Sequence, residues 1–310
     1  QWLDDYELDV HRTVIIQLSP PVHDVFTGNW LKAFMSGGIL VLPTPEEKQD
    51  FNRLYELCRR EGLTHLDATP AFIVPWLAFL NERNKEIASL RYIILGSDHW
   101  PQQASYVLRP WQKRGVRIYN SYGTTEATIY NTHYMVNEQD LLSGNVPPIG
   151  KPFCYTRLYV FDARQTLLPQ GCIGELYVGG YGLAKEYIGD TQRTAEKFIE
   201  NPYVSGERLY RTGDLVRIDE QWNIHFIGRD DQQVKIRGHR IELGDIENAI
   251  MNIEESGIEL AAVVVQAGDG KDQLTCFFTA SKQVDTDQLR QEIQRLVPAY
   301  MVPSLLVQLQ

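Results

Sequence analysis

With 43% hydrophobic and 23% charged residues, this chain of 310 residues has a globular composition and is long enough for a large domain beside a small one. Its net charge of −10, with no basic stripe, excludes a binder of nucleic-acid backbones. No apolar run reaches the length of a bilayer span and no secretory signal opens the chain, so no membrane partner is expected. Cys58, Cys154, Cys172 and Cys276 lack metal-type spacing and read as reduced, partly buried thiols of a cytoplasmic protein. The seven histidines are scattered without a zinc-like pair.

The opening Gln1-Trp-Leu-Asp-Asp-Tyr reads as the tail of a helix already under way, which makes a fragment the expected nature of the chain. Residues 13–18 and Gly38–Pro43 are short β-branched runs that suit buried strands. A helical pattern follows over residues 46–61, with Phe51, Leu54, Leu57 and Cys58 on one face. Residues 63–67 predict a strand, and Pro70 opens a helix where its missing N–H costs nothing. Residues 91–95 predict another strand, 101–113 a helix and 116–119 a fourth strand. This alternation predicts a parallel, flavodoxin-like sheet covered on both faces. Ligands of such sheets bind at the carboxyl ends of the strands, so loops beginning at Asp67, Gly96 and Asn120 are expected to face one crevice.

From about Pro147 the pattern shortens to strands at 157–161 and 174–178 and a hairpin around 219–223, predicting a small β-barrel-like subdomain over residues 147–228. Gly179-Gly-Tyr-Gly182 superficially resembles a dinucleotide loop but lacks the βαβ context, and reads as a turn packed close to other backbone. Beyond Arg229 the chain predicts a helix from Leu243, strands at 260–266 and 273–280, and a helix near Asp285. That is a small α+β domain over residues 229–310.

Two charged stretches stand out. Tyr210-Arg-Thr-Gly-Asp-Leu215 and Gly228-Arg-Asp-Asp-Gln-Gln-Val-Lys-Ile-Arg-Gly-His-Arg-Ile-Glu242 place an Asp and an Arg fifteen residues apart across a predicted hairpin. Such a pair can converge on vicinal hydroxyls, although charge runs commonly form a solvated strand face. Together with Asn120-Ser-Tyr-Gly-Thr-Thr-Glu126, Gly174-Glu-Leu-Tyr-Val-Gly-Gly-Tyr-Gly-Leu-Ala184 and Leu296-Val-Pro-Ala-Tyr-Met-Val-Pro303, they resemble, in order and spacing, the adenylation domain of a nonribosomal peptide synthetase.

The resemblance implies an AMP-forming ligase that uses ATP and Mg²⁺. It would activate an amino acid as its adenylate and pass it to the phosphopantetheine thiol of a peptidyl carrier protein, beside a neighbouring condensation domain. It implies that Asn120, Tyr122, Gly123, Thr124, Asp214, Phe226 and Arg229 bind the nucleotide, with the Tyr122 ring facing adenine and Asp214 and Arg229 clamping the ribose. Glu126 would hold Mg²⁺ with Thr125 near phosphate, one carboxylate being what that ion takes beside waters and phosphates; a solvated loop acid is the other reading. Thr124 stands where the family usually has Pro. Asp231 would be the pivot of the small domain and Lys235 a group of its second conformation, while for Lys235 and Arg237 a solvated strand face stays open.

Pro21-Val-His-Asp-Val-Phe-Thr-Gly28 aligns with the family segment usually reading Phe-Asp-x-Ser, His23 replacing Phe. The resemblance implies that Asp24 pairs with the substrate ammonium and that Val25, Gly28, Asp67, Ile93, Leu95, Ser121, Ile129 and Tyr130 line the pocket. A carboxylate at Asp67 among apolar neighbours needs a partner, which predicts a long polar or cationic substrate side chain such as that of ornithine, lysine or arginine. Alternatively Asp67 caps the Pro70 helix. The family's phosphate loop should precede residue 1 and its carboxylate-gripping lysine should follow residue 310, so the chain alone is expected to be inactive. Competing readings are an acyl- or aryl-CoA ligase, which would have no use for Asp24, and a silent scaffold.

Overall fold

The computed structural model describes residues 2–8, 12–101, 103–230, 233–236, 239–253, 257–268 and 271–309. The chain divides into two compact units, residues 1–230 and 231–310.

The first unit begins with α1 (Trp2–Asp5), β1 (Val14–Ile16), α2 (Asp24–Met35), β2 (Ile39–Val41), α3 (Pro45–Gln49) and α4 (Phe51–Glu61). The single helix expected over residues 46–61 is two, because Asp50 leaves the helical conformation and accepts from the N–H groups of Asn52 and Arg53 to cap α4. There follow β3 (His65–Ala68), α5 (Pro70–Glu82), β4 (Tyr92–Gly96), α6 (Ala104–Lys113), β5 (Arg117–Tyr122), β6 (Thr132–Met135), α7 (Glu138–Ser143) and β7 (Lys151–Pro152). These strands form one sheet in the order β2-β1-β3-β4-β5-β6-β7; β1 to β5 run parallel, β6 pairs antiparallel with β5, and β7 antiparallel with β6.

Strand periodicity divides this sheet into two chemically different faces. One face carries Val14, Ile16, Leu66, Ala68, Ile93, Leu95 and Ile118, packed with Leu54 of α4, Trp76 of α5 and Trp111 of α6 into the main core. The other carries His65, Asp67, Tyr92, Ile94, Tyr119 and Ser121. It joins Tyr6, Val25, Ile129 and Tyr130 in a smaller cluster with many polar atoms.

The unit continues with β8 (Thr156–Phe161), β9 (Ile173–Gly180), α8 (Thr191–Lys197), β10 (Phe198–Glu200), β11 (Arg208–Ile218) and β12 (Ile224–Arg229). They form an antiparallel sheet ordered β10-β11-β9-β8, with β12 added to β11.

The second unit holds β13 (Gln233–Ile236), β14 (His239–Glu242), α9 (Leu243–Met251), β15 (Ile258–Gly268), β16 (Lys271–Ala280), α10 (Thr286–Leu296) and β17 (Leu305–Gln308). β13 and β14 pair as a hairpin, and β15-β16-β17 form a three-stranded sheet. Ile246 and Ile250 of α9 and Leu289 and Ile293 of α10 pack with Val263, Cys276, Phe278 and Leu306 from that sheet. Asp285 caps α10, accepting from Asp287 and Gln288.

Candidate active site

The carboxyl ends of β3, β4 and β5 gather most of the residues singled out from the sequence, and all of those described except Lys235 belong to the first unit. Asp67, Gly96 and Asn120 lie within the last residues of their strands, not in the loops beyond.

Period-2 alternation sends the tip of β5 in two directions. Ser121 faces the polar cluster, 3.4 Å from the Tyr6 hydroxyl, while Asn120 and Tyr122 lie on the other side of the strand, Tyr122 among residues of the second sheet. The Asn120 amide nitrogen donates to the carbonyls of Pro147 (3.2 Å) and Pro148 (3.0 Å). Tyr122 is 6% exposed and clusters with Ala127, Leu176, Val178 and Val216. Its hydroxyl donates to Asp214 Oδ2. Burial first, and then the Asp214 charge, push this phenol well above its ordinary pKa and keep it a donor.

Asp214 and Arg229 are register partners across the β11–β12 hairpin. Arg229 Nη1 donates to Asp214 Oδ1 at 2.6 Å and Nη2 to the Thr212 carbonyl at 3.1 Å. Gly213 makes this possible. Its φ of +77° breaks the β11–β9 register between Arg211 and Leu215 and sends its N–H to Glu175 Oε1 at 3.1 Å. Phe226 sits on β12 with its ring 5.8 Å from His99, in the segment after β4.

After Tyr122 the chain makes a tight return. A Cβ on Gly123 would collide with the Ile129 carbonyl, which explains glycine there. Asn131 staples the return: it accepts from the Thr124 N–H at 3.1 Å and donates to the Ala127 carbonyl at 2.7 Å. Thr128 and Ile129 both have positive φ, +65° and +68°, unusual for β-branched residues and a local store of strain. The 179–184 turn packs on this return, with the Ala184 N–H on the Glu126 carbonyl at 2.8 Å. Thr125 is exposed and opens a single 3₁₀ turn; Thr124 Oγ1 is buried without a hydrogen-bond partner among the described residues. Glu126 is 7% exposed, and Tyr187 donates to its Oε1 at 2.7 Å, with the Tyr210 hydroxyl 3.4 Å behind.

On the opposite face, α2 directs Val25, Gly28, Asn29, Lys32 and Ala33 inward. Asp24 stands in its first turn, where a carboxylate suits the helix N-terminus. Asp67, 1% exposed, is ion-paired through Oδ2 with Lys32, itself 2% exposed, and accepts from the Tyr130 hydroxyl through Oδ1 at 2.7 Å. Burial, then the Asp67 charge, push the Tyr130 phenol well above its ordinary value. Behind Asp67, neutral His65 stacks on Tyr92 at 4.5 Å. Its Nε2 lies 3.0 Å from the Tyr6 carbonyl, which can only accept, so Nε2 carries the proton and Nδ1 accepts from Thr64 at 2.7 Å. Burial lowers its pKa to about 4.

Three expectations are corrected. Ile93 and Leu95 belong to the main core on the far face of β4, so the residues of that strand on the Asp67 face are Tyr92, Ile94 and Gly96. Asp67 does not cap the Pro70 helix, whose N-cap is Thr69. Nor does it await a cation from outside, since Lys32 supplies one. Lys32 and Tyr187 were missed. Reading residues 24–35 as a helix puts Lys32 one turn beyond Gly28 on the same face, whereas no spacing announces Tyr187. Asp231 lies outside the described residues, and for Lys235 only its place on β13 is described.

A family model for AMP-binding enzymes matches residues 1–188. The chain belongs to that family. It is 38% identical over 309 residues to tyrocidine synthase 3 of Brevibacillus parabrevis and 37% identical over 313 residues to gramicidin S synthase 2 of Brevibacillus brevis. It covers 99% and 100% of itself in these matches, but only 5% and 7% of the relatives' length. Among solved structures, a nonribosomal peptide synthetase protein containing adenylation and PCP domains, bound to a vinylsulfonamide inhibitor, superposes with a TM-score of 0.82 at 28% identity, covering 96% of this chain and 50% of that one. The Vibrio cholerae adenylation domain AlmE, in complex with glycyl-adenosine-5′-phosphate, superposes at 0.84 over 100% of this chain and 58% of that one, and at 22% identity it speaks for the fold alone.

For an AMP-binding chain the donor set fits Mg²⁺ in one way. No group of three or more metal-ligating side chains gathers among the described residues, whereas Glu126 is a single buried, oriented carboxylate beside a loop with a spare buried hydroxyl on Thr124. That suits an ion arriving on nucleotide phosphates better than one held by the protein alone.

Proposed function

We propose that the chain is the substrate-selecting part of an amino-acid-activating, AMP-forming ligase. It would bind an amino acid and ATP and direct the carboxylate onto the α-phosphate with loss of pyrophosphate. The aminoacyl-adenylate would then pass to the phosphopantetheine thiol of a carrier protein. The single observation that carries this reading is the cluster of Tyr122, Asp214 and Arg229, a buried carboxylate held between a phenol and a guanidinium at the strand ends of an AMP-binding fold.

In this reading Asp214 accepts from the two ribose hydroxyls, because an ionised carboxylate has lone pairs beyond those Tyr122 and Arg229 use. Asn120, its nitrogen committed to the Pro147 and Pro148 carbonyls, reads the adenine edge through its side-chain oxygen. Gly123 and Phe226 shape the base and ribose sides, and the Thr124 and Thr125 hydroxyls meet phosphate. Glu126 holds the Mg²⁺ that neutralises phosphate charge. Asp24 pairs with the α-ammonium; among the described residues no Lys or Arg is ion-paired with it. Val25, Gly28, Ser121, Ile129 and Tyr130 surround the side chain, and Asp231 and Lys235 serve the thiol-transfer half. A carrier protein as partner agrees with the adenylation and PCP domains named for a solved neighbour, and a condensation domain would adjoin in the longer protein.

The test is amino-acid-dependent exchange of labelled pyrophosphate into ATP by the full-length polypeptide carrying this chain. Exchange should require one class of amino acid, and Asp24→Ala should lower it by hundreds-fold or more, since a buried ammonium without its carboxylate costs about 3–5 kcal/mol. Exchange unaffected by Asp24→Ala removes the amino-acid reading in favour of another acid.

A further inference from the structure

Lys32 is the one charged side chain on the buried face of α2, and it ends beside Asp67 where the side-chain subsite would be deepest. Both charges are almost entirely out of water, at 2% and 1% exposure. Each oxygen of Asp67 already has a donor: Lys32 on Oδ2, the Tyr130 hydroxyl on Oδ1. Three aromatic rings surround the ammonium, Trp2 at 5.0 Å, Tyr130 at 5.4 Å and Tyr6 at 5.8 Å, adding cation–π stabilisation where solvent is absent. Room that small residues would open is taken up. The space beside Gly28 holds the Ile129 side chain and the Trp2 ring, 3.2 and 3.6 Å from where a Cβ would stand. The Tyr130 ring fills that beside Gly96, at 2.6 Å.

We infer that Lys32 is a specificity-determining residue, an internal counter-ion that neutralises Asp67 so that the subsite takes a small, uncharged amino-acid side chain and rejects cationic ones. The inference rests on the amino-acid-activating reading and names its substrate class. A second ammonium entering this region would meet Lys32 before it met an uncompensated carboxylate, and like charges without solvent disfavour each other strongly. A long side chain would in addition have to displace the Tyr130 ring from Gly96 and from Asp67. Lys32 therefore acts through Asp67, and the consequence of removing it is specific: Asp67 becomes the unpaired carboxylate that a cationic substrate would satisfy.

The experiment is pyrophosphate exchange by the full-length polypeptide over glycine, alanine, serine, leucine, phenylalanine, ornithine, lysine and arginine, with kcat and KM separated. The wild type should prefer a small uncharged amino acid over ornithine and lysine by at least about 100-fold in kcat/KM. Lys32→Met should raise the ornithine-to-alanine ratio by roughly 10- to 100-fold, mainly through KM for ornithine. The double variant Lys32→Met with Asp67→Asn, isosteric and without the buried charge, should not gain ornithine; it also serves where the single variant folds poorly. A wild type that prefers ornithine, lysine, arginine or a large side chain overturns the inference, as does a Lys32→Met ratio that does not move. Exchange with no amino acid at all overturns the adenylation reading itself, a result distinct from exchange with the wrong class.

Discussion

Two buried aspartates in the first unit are built from the same parts and put to opposite ends. Asp214 lies between Arg229 and the Tyr122 hydroxyl; Asp67 lies between Lys32 and the Tyr130 hydroxyl. In the first, the cation is a planar fork that also reaches the Thr212 carbonyl, and its side chain keeps 12% of its exposure. In the second, the cation is a compact ammonium at 1%, walled by aromatic rings. The first cluster can share its carboxylate with a ligand and stay hydrated at its edge. The second has closed its own account of charge, and that is what makes it selective. The difference lies in which cation is used and how much water it retains.

The largest expected effect comes from breaking the closed cluster. Asp67→Ala leaves the Lys32 ammonium buried and unpaired and should lower the stability of the first unit by about 3–5 kcal/mol in denaturant unfolding. The double variant with Lys32→Met should lose much less than the sum of the two single changes, because an apolar replacement of both charges avoids the unpaired state. Additive losses would mean that the two groups are not coupled.

The Asp67 face should also respond to acid. His65 is neutral when folded, with its pKa lowered to about 4 by burial, against 6.5 in an exposed chain. Between those values the unfolded state binds a proton that the folded state does not. Stability is therefore full above pH 6.5 and falls by about 1.4 kcal/mol per pH unit down to about pH 4. Unfolding free energies of wild type and His65→Asn across that window should diverge by about 3 kcal/mol at the acid end. Parallel curves would place the acid sensitivity elsewhere.

The open cluster should lose less stability and more binding. In Asp214→Ala, Arg229 can turn to water, but the Tyr122 hydroxyl is left buried without its acceptor, a loss of about 1–3 kcal/mol. Affinity for AMP in calorimetry should fall by about tenfold or more, since a hydrogen bond to a charged group is worth about 1.5–3 kcal/mol. Asp67→Asn should leave AMP affinity within about twofold, as uncharged substitutions remote from a ligand usually do. Equal losses from the two variants would erase the contrast between the clusters.

The two clusters also differ in how legible they were. Asp214 and Arg229 are fifteen residues apart on one hairpin, so local sequence brings them together. Lys32 and Asp67 are 35 apart on a helix and a strand, and their meeting depends on how α2 lies on the sheet. Strands β1 to β5 and the helices α5 and α6 were readable from periodicity and turn residues, as was the helix starting at Leu243, whereas α2 was not read and α3 and α4 were read as one helix. The face of β4 was not legible, because Tyr92-Ile-Ile-Leu-Gly96 is apolar throughout, and a strand buried on both sides carries no alternation to read. The error over Ile93 and Leu95 follows directly. The packing of Tyr122 was not legible either, because its neighbours Leu176, Val178 and Val216 come from strands more than fifty residues further along the chain.

The smallest effect concerns a hydrogen bond that neither cluster contains and that prepares the loop between them. Tyr187 donates to Glu126 Oε1 at 2.7 Å, and Tyr210 stands 3.4 Å behind it, so the carboxylate is aimed by a phenol anchored in the second sheet. Tyr187→Phe keeps the ring and its 5.5 Å edge contact with Phe198 while removing only the hydroxyl, so the unit should lose about 1 kcal/mol. If Glu126 meets Mg²⁺ on the nucleotide, the freed carboxylate will be less well oriented, and half-maximal pyrophosphate exchange will need several-fold more Mg²⁺, the lower end of what losing an outer-shell partner costs a metal site. KM for the amino acid should not change, because Asp24 and the α2 face do not touch this hydrogen bond. A shift in amino-acid KM with no shift in Mg²⁺ requirement would tie Tyr187 to the shape of the loop and not to its carboxylate.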